Sequence, residues 1–392
     1  MTRRDVVITG IGLVSSLGEG PEAHWAALNN GAKPVVDAAS FAPFPVHPLP
    51  ALSLDAQIPK KGDQRQMEPW QRLGTYAAGL AIDHAGARGL VSDMHLVVAA
   101  GGGERDVAVD EAVTAALTSA APEASGALLN EKLATELRPT LFLAQLSNLL
   151  AGNISIVHGV TGSSRTLMGE EEAAADAIRI AAARLAEGRG EIALVGGAFA
   201  SQRWDMVLLY APGGVLWQGD YAPISARGDA GGLMLGAMAA FLVLETAEHA
   251  QARGAKALAR IGAIASDAAH QRAGGGSATA AAALWQGMAP ASTAGLGVIS
   301  GMTGVAEARV EEEAFLATLG SVPLRRSGSV LGHGVEASFP ANVALAALAL
   351  SQNGFYPKMD PADAGDGAVE RILVTGFGQW RGEALALLEK AP

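Results

Sequence analysis

The chain contains no cysteine among its 392 residues. This absence excludes disulfide bonds, thiolate metal sites and any mechanism that uses a thiol nucleophile. A chain without thiols is compatible with a reducing compartment, so we expect a cytoplasmic location. Whatever chemistry the protein performs must use oxygen or nitrogen groups.

Aromatic residues and charges are also scarce, at 5% and 17% of the chain. Acidic residues outnumber basic ones by 39 to 28, which gives a formal net charge of -11, and no basic cluster is longer than two residues. A nucleic-acid-binding surface needs a concentrated positive patch, so we expect no nucleic-acid partner. An acidic protein partner would need a local basic patch on this chain.

Long hydrophobic runs are missing as well. The longest apolar stretch, residues 231–244, is shorter than the roughly 20 residues that span a bilayer. The first residues imitate a signal peptide weakly, but no small-residue cleavage site follows them. We therefore expect a soluble protein without a membrane span.

What the chain has is aliphatic and small residues, with 49% hydrophobic residues and 49 glycines. Short β-branched runs predict buried strands, and amphipathic stretches with caps predict helices between them. The predicted strands are 5–12, 95–100, 191–197, 241–245, 258–266 and 371–378. The predicted helices are 21–29, 69–86, 106–120, 140–150, 169–188, 278–288 and 306–319, and residues 36–68 are expected to be irregular. This alternation indicates an α/β fold.

The opening and closing strands have similar sequences, VVITGIG at 6–12 and ILVTGFG at 372–378. Together with strand–helix alternation in both parts of the chain, this similarity suggests two related halves. We place them at residues 1–245 and 246–392.

Generic cofactor and metal motifs are incomplete. Gly10 and Gly12 follow the first strand, but Ser15 stands where a dinucleotide-binding turn needs its third glycine. No phosphate-binding loop and no G-x-S-x-G motif occurs. His333 and Glu336 have a ligand-like spacing without a second pair, so we expect no metal and no cofactor.

Several separate segments, in the same order, resemble the β-ketoacyl synthases of the thiolase superfamily. They are NLLAGNISIVHGVTG (148–162), VGGAFAS (195–201), FLVLETAEHAQARGAKALARIGA (241–263) and GFG (376–378). The resemblance covers the chain from about Val6 to Leu388. It implies an α/β thiolase fold, five-layered αβαβα with two pseudo-repeated halves. It also implies a dimer in which a strand pairs across the two-fold axis, and we assign that strand to residues 191–195.

The resemblance also locates the positions of the family's catalytic groups. Counting from both sides places Glu171 at the position of the nucleophilic cysteine. Gly301 stands at the first catalytic histidine, Gly328 at the lysine, and His333 is retained at the second histidine.

Two further family loops are altered. Ala237 replaces an acid and Met238 a glycine, and the closing loop reads Gly376-Phe-Gly-Gln-Trp-Arg381. In this loop Phe377 and Gly378 are expected to gate the acyl pocket. A carboxylate at position 171 cannot replace a thiolate in acyl transfer, so we expect no condensation activity.

Gly169-Glu170-Glu171 resembles the G-E-Q segment of chain-length factors, the inactive partners of ketosynthases. The resemblance implies a non-condensing subunit with two partners, an acyl carrier protein and either an active ketosynthase or a second copy of itself. Two alternatives stay open. One is a stand-alone malonyl- or acyl-carrier decarboxylase or hydrolase using Glu171 and His333, and the other is a carrier-binding scaffold.

A narrower resemblance involves residues 62–74, 101–106 and 130–150. These segments are similar to a synthase-like protein that α-proteobacteria make in their pathway to very-long-chain fatty acids of lipid A. The resemblance implies a role in that pathway and does not imply a particular activity. The acyl chain length depends on the shape of a tunnel, which the sequence does not specify.

Overall fold

A computed structural model describes residues 3–101, 103, 105–139, 141–267, 276–288, 292–380 and 382–391. Four residues within the segments used above lie outside this part of the chain: Gly102, Glu104, Thr140 and Arg381.

The described residues form eleven strands, most of them short, apolar and buried on both faces. The strands are β1 (Val6–Ser15), β2 (Gly18–Glu19), β3 (His95–Ala99), β4 (Ser164–Leu167), β5 (Ile192–Phe199), β6 (Met238–Thr246), β7 (Ala259–Asp267), β8 (Leu296–Ser300), β9 (Leu324–Arg326), β10 (Arg371–Phe377) and β11 (Glu383–Glu389). Strands buried on both faces need apolar residues at every position, as in β1, where all ten residues are buried.

Fourteen α-helices connect or flank these strands in the same part of the chain. The helices are α1 (Pro21–Asn29), α2 (Lys61–Gln66), α3 (Pro69–His84), α4 (Val107–Ser119), α5 (Ser125–Glu136), α6 (Leu141–Ala144), α7 (Leu149–His158), α8 (Glu170–Ala186), α9 (Trp204–Tyr210), α10 (Ala247–Ala252), α11 (Gly276–Gly287), α12 (Ala306–Thr318), α13 (Gly328–Leu331) and α14 (Ser338–Ser351). Local sequence explains several boundaries. For example, α3 begins at Pro69, and Glu68 and Gln71 form a capping box around its first turn.

The strands form two half-sheets with the same internal order. The first half runs β4-β3-β5-β6-β1 and the second β9-β8-β10-β11-β7. In each half the first three strands run parallel to one another, and the fourth strand runs antiparallel to both of its neighbours. A short antiparallel contact between β1 and β7, at Val7–Arg260 and Ile8–Ala259, joins them. The repeated order supports two related halves, while the boundary between residues 245 and 246 stays a prediction.

The sequence similarity that suggested these halves does not match equivalent strands. VVITGIG lies in β1, whose counterpart in the second half is β7, whereas ILVTGFG lies in β10, whose counterpart is β5. Both segments lie in largely buried strands, and this shared environment selects similar apolar residues.

The helices complete a layered arrangement. Helices α8 and α14 pack against strands of both half-sheets, while α3 and α7 cover the outer face of the first half. Helices α11 and α12 contact the second half, where a third hydrophobic cluster lies. The order is helices, half-sheet, helices, half-sheet, helices.

The strand expected to pair across a dimer axis was assigned wrongly. Residues 192–199 form β5, and both edges of β5 are already paired, with β3 and β6. The exposed sheet edge belongs to β4 instead, whose one strand partner among the described residues is β3. At the other end of the sheet, β9 is buried, and Ala364 covers it by accepting a hydrogen bond from the Leu324 N–H.

Sequence patterns missed several elements, most of them short: α2, which lies in the region expected to be irregular, and α5, α9, α13, α14, β2, β4, β8, β9 and β11. The residues predicted as one helix over 140–150 divide into α6 and the start of α7. Within the described ranges, no helix has the length and apolar character needed to cross a membrane.

Candidate functional site

The site begins at the turn between the edge strand β4 and helix α8. Gly169 has a φ of 143° and Glu170 a φ of 57°, so the chain turns sharply before the helix starts. Glu170, Glu171 and Glu172 form the first helical turn, where carboxylates interact favourably with the helix dipole. This turn places Glu171 inside the molecule, with 12% of its side chain exposed.

His333 contacts Glu171 directly, with 2.9 Å between His333 Nε2 and Glu171 Oε1. The His333 N–H donates to the Met234 carbonyl, and the His333 carbonyl accepts from the Gly236 N–H, both at 2.8 Å. These backbone bonds fix the imidazole, whose side chain is 5% exposed. The two residues are 162 positions apart in the chain, and the fold brings them into contact.

The charge state of Glu171 follows from its partners. Burial opposes ionisation, but the hydrogen bond and charge of His333 outweigh it and hold the pKa of Glu171 below its usual value. A carboxylate can only accept, so the proton of this hydrogen bond lies on His333 Nε2. That nitrogen is therefore engaged by Glu171 and is not free to donate to another group.

The closing loop supplies a second donor. The Gln379 N–H donates to Glu171 Oε1 over 3.2 Å. Phe377 and Gly378 line a cavity together with Glu171 and His333. The cavity has a volume of about 10 Å³, barely enough for one water molecule.

Gly301 and Gly328 lie near His333. Both line a second small cavity, also of about 10 Å³, that shares Gly301 and His333 with the first. The backbone leaves little room at either glycine. A Cβ at Gly301 would lie 2.5 Å from the Thr375 carbonyl oxygen, and a Cβ at Gly328 would lie 2.8 Å from the Met302 carbonyl oxygen. Side chains at these positions would require the backbone to move.

Residues of α14, which the sequence patterns did not predict, complete the site. Ser338 Oγ accepts from the Gly334 N–H at 2.8 Å and lies 3.4 Å from His333 Nδ1. The Asn342 side chain accepts from Ser327 Oγ at 2.6 Å and lines both small cavities. Polar residues in this otherwise apolar helix are the signal that would have identified them.

The structure thus brings together all six residues singled out from the sequence: Glu171, Gly301, Gly328, His333, Phe377 and Gly378. Ala237 is fully buried, and Met238 lines the second small cavity. The roles assigned to the six residues stay predictions. Among the described residues, no group of three His, Asp or Glu side chains is arranged to hold a metal ion.

Comparison with protein families gives a match to the model described as "Beta-ketoacyl synthase, N-terminal domain" over residues 3–250. A curated relative, 3-oxoacyl-[acyl-carrier-protein] synthase 2 of Vibrio harveyi, is 30% identical over 271 residues. The alignment covers 67% of this chain and 62% of that protein, so the chain matches less than two thirds of its relative's length.

Two solved structures share the architecture over the full length of both chains. The ishigamide ketosynthase/chain length factor has a TM-score of 0.81 at 21% identity. The AntDE:AntF structure, described as a type II PKS acyl-carrier protein in complex with its ketosynthase bound to the hexaketide, has a TM-score of 0.77 at 19% identity. The thiolase-like α/β fold expected from the sequence is confirmed.

Proposed function

Because the chain belongs to the β-ketoacyl synthase family, we propose that it is a non-condensing, chain-length-factor-like subunit of carrier-protein-dependent fatty acid synthesis. In this role it pairs with a synthase that has the nucleophilic cysteine. The subunit contributes an interface and walls of the acyl tunnel, and its partner performs the chemistry.

The contact between Glu171 and His333 is the observation that carries this proposal. Condensation needs a nucleophile that holds an acyl group and donors that stabilise the developing charge. Here the helix N-terminus presents a carboxylate whose Oε1 accepts from His333 and from the Gln379 N–H. The cavity beside it has room for about one water molecule, which leaves no space for an acyl thioester.

The exposed edge of β4 supports pairing with a second chain of the same fold. Exposed strand edges present unpaired N–H and C=O groups to a partner. Large apolar side chains are exposed near this edge, with Met168 directly after β4 and Ile156 on the neighbouring helix α7. The ishigamide structure, which is described as a ketosynthase/chain length factor, also supports such a pair.

Carrier binding is proposed from local charge. The chain is acidic overall, but Lys60, Lys61 and Arg65 are exposed at and within the short helix α2. Such a patch favours docking of an acidic carrier. The AntDE:AntF structure is described as a carrier protein in complex with its ketosynthase, which is consistent with this partner.

The acyl chains proposed for this pathway are very long. This part of the proposal rests on the narrower resemblance of residues 62–74, 101–106 and 130–150. It specifies a pathway and leaves the exact chain length open.

A mass-spectrometric assay tests the function. The cognate carrier, loaded with malonyl or acyl groups, is incubated with this chain alone and then with a cysteine-bearing synthase. We expect products only when both proteins are present, and we expect Glu171→Ala to change their length without abolishing them. If the chain alone consumes malonyl carrier and Glu171→Ala stops this reaction, the proposal is wrong.

A pair of variants at Thr166 tests the interface. The N–H groups of Leu96 and Ala100 donate to the carbonyls of Ser163 and Leu167, so by strand alternation Thr166 points its backbone N–H away from β3. Thr166→Pro removes this outward donor and should abolish co-purification with the synthase. Thr166→Val keeps the N–H and should preserve it. Equal co-purification by both variants would exclude β4 as the pairing edge.

One alternative function draws support from the same contact. A carboxylate hydrogen-bonded to a histidine is an arrangement suited to general acid–base chemistry, so the pair could serve a decarboxylase or hydrolase. The small cavity argues against a substrate at this pair. The first assay distinguishes the two, because an enzyme of this kind acts without a partner.

A further inference from the structure

Ser163 lies directly before the edge strand β4 and is exposed. Its Oγ lies 2.8 Å from Nδ1 of His95, the first residue of β3. The two residues are 68 positions apart in the chain, and the parallel pairing of β3 with β4 brings them into contact. Neither residue was assigned a role by the sequence or by the proposed function.

Two backbone groups determine the tautomer of His95. The Ser163 N–H donates to Nδ1 over 3.2 Å, so this nitrogen carries a lone pair. The ring proton is therefore on Nε2, which donates to the Arg189 carbonyl over 2.9 Å. Gly190 makes room for the ring, because a Cβ there would lie 2.3 Å from His95 Nε2. With the lone pair on Nδ1, the Ser163 hydroxyl donates to His95, as a serine nucleophile does to its general base.

A guanidinium group lies beside the same hydroxyl. Arg184, in the last turn of α8, donates from Nη2 to Ser163 Oγ over 3.3 Å. A donor this close to the attacking oxygen also lies close to the oxyanion that forms when the oxygen adds to a carbonyl. Arg165 is exposed two residues after Ser163, and strand alternation places both on one face. The two arginines make this face attractive to an anionic substrate.

A second serine–histidine contact shows what distinguishes the first. Ser15 Oγ lies 2.8 Å from His24 Nε2, and His24 Nδ1 donates to the Gly20 carbonyl over 2.7 Å. Both Ser15 and His24 are 0% exposed, and burial lowers the pKa of His24 to about 4. No substrate reaches this buried pair. Ser163 has the same type of hydrogen-bonded histidine, but it lies at the surface.

We propose that Ser163 and His95 form a site that hydrolyses small carboxylic esters, with a preference for anionic ones. The Ser163 Oγ attacks the ester carbonyl carbon, and its proton passes to His95 Nδ1, which gives up its longer bond to the Ser163 N–H. The oxyanion of the adduct accepts from Arg184, and the ester C–O bond then breaks as the leaving alcohol takes the proton from Nδ1.

A water molecule completes the reaction. It transfers a proton to Nδ1 while its oxygen attacks the acyl-serine, and the carboxylic acid leaves as Ser163 Oγ recovers the proton. The proposal goes beyond the proposed function, since it requires neither Glu171, a synthase partner nor a carrier protein.

Hydrolysis is measured on the full chain alone, with phenyl acetate and the anionic ester 4-acetoxybenzoate, each relative to its rate in buffer. We expect the chain to accelerate both reactions, and that of 4-acetoxybenzoate more. Ser163→Ala and His95→Gln should each lower the acceleration about 100-fold. Ser164→Ala, at the neighbouring exposed serine, is the matched control and should leave it unchanged. No acceleration by the parent chain, or equal acceleration by Ser163→Ala, would overturn the proposal.

An alkyl fluorophosphonate gives a readout that does not depend on turnover. An activated serine oxygen bonds to its phosphorus and releases fluoride, and peptide mass spectrometry locates the adduct. We expect the adduct on Ser163, none on Ser15 or Ser164, and none at Ser163 in His95→Gln. An unlabelled Ser163 in the parent chain, or equal labelling in His95→Gln, would show that His95 does not activate the hydroxyl.

Arg184→Gln tests the preference for anionic esters. The variant should still be labelled at Ser163, but it should accelerate the two ester reactions equally. A retained preference for 4-acetoxybenzoate would contradict the role given to Arg184. Thermal unfolding of each variant confirms that it is folded.

Discussion

Glu171 and Glu336 are two glutamates of the same interior region, and their carboxyl groups interact electrostatically. Burial raises the cost of ionising both. Glu171 has His333 and the Gln379 N–H as donors, and its pKa is held below the usual value. Burial, together with the charges of Glu171 and Glu170, outweighs the hydrogen bond that Glu336 accepts from its own backbone N–H, and its pKa is raised to about 7. The comparison teaches that hydrogen-bond partners, more than depth of burial, decide whether a carboxyl here is charged.

The same difference has opposite consequences for stability. A carboxyl with a lowered pKa stabilises the folded state above its unfolded pKa, and this stabilisation is lost as pH falls through the folded value. A carboxyl with a raised pKa destabilises the folded state as pH rises from its unfolded to its folded pKa. Glu171 belongs to the first class and Glu336 to the second.

The largest effect is expected when the partner of Glu171 is removed. His333→Ala leaves a mostly buried carboxylate without its charge-assisted hydrogen bond, so the free energy of unfolding should fall by about 3 kcal/mol at pH 7. Urea unfolding monitored by circular dichroism measures the change. Ser338→Ala, which leaves the Glu171–His333 contact in place, is the control and should cost less than about 1 kcal/mol. Equal losses in the two variants would show that the Glu171–His333 hydrogen bond contributes no more to stability than the contacts of Ser338.

The next effect has the opposite sign. Glu336→Leu removes a carboxyl whose ionisation is opposed by burial and by the neighbouring carboxylates, so the free energy of unfolding should rise by about 2 kcal/mol at pH 8. The gain should shrink as the pH is lowered from about 7 to 4.5, because Glu336 then takes up a proton in the folded chain. Unfolding at pH 8 and pH 4.5 measures both values. A variant less stable than the parent at pH 8 would mean that Glu336 has a partner that the structure does not reveal.

A smaller effect is expected when Glu171 loses its charge but keeps its shape. Glu171→Gln keeps an oxygen that accepts from His333, so the free energy of unfolding should change by about 1 kcal/mol or less at neutral pH. The variant should also lose the part of the acid-induced destabilisation, below about pH 4.5, that Glu171 contributes in the parent chain. Parallel denaturation curves from pH 3 to pH 7 measure this. If the acid sides of the two stability profiles coincide, Glu171 is not ionised through its partners as described.

No gain of activity is expected from restoring the thiol alone. Glu171→Cys places a nucleophile at the helix start, but Gly301 and Gly328 supply no side chain to stabilise the reaction, and the cavity holds about one water molecule. Mass spectrometry of the carrier with malonyl and acyl groups should detect no condensation product. Measurable product would mean that the remaining groups suffice.

Features encoded by local sequence could be predicted. Helix α8 has carboxylates in its first turn and glycines around it, and strands such as β1 are continuous apolar runs. Counting along aligned motifs also placed Glu171 and His333 at related positions, and the structure puts them in contact.

The remaining features depend on packing between distant segments. Trp70 and Glu336 line one cavity although 266 positions separate them, and no local pattern indicates this. Helix α14 is buried on all sides between the two half-sheets and is apolar apart from a few residues such as Ser338 and Asn342, so it has no amphipathic period to recognise. The edge strand β4 is short and partly polar, and the long apolar segment of β5 was therefore preferred incorrectly.

The close approach of the Thr375 carbonyl to Gly301 has an evolutionary consequence. A substitution at position 301 cannot succeed alone, because any Cβ there collides with a backbone atom of the neighbouring strand. A side chain at this position would need an earlier change that moves one of the two strands. Natural drift can therefore vary the side chains around this site far more easily than it can replace Gly301.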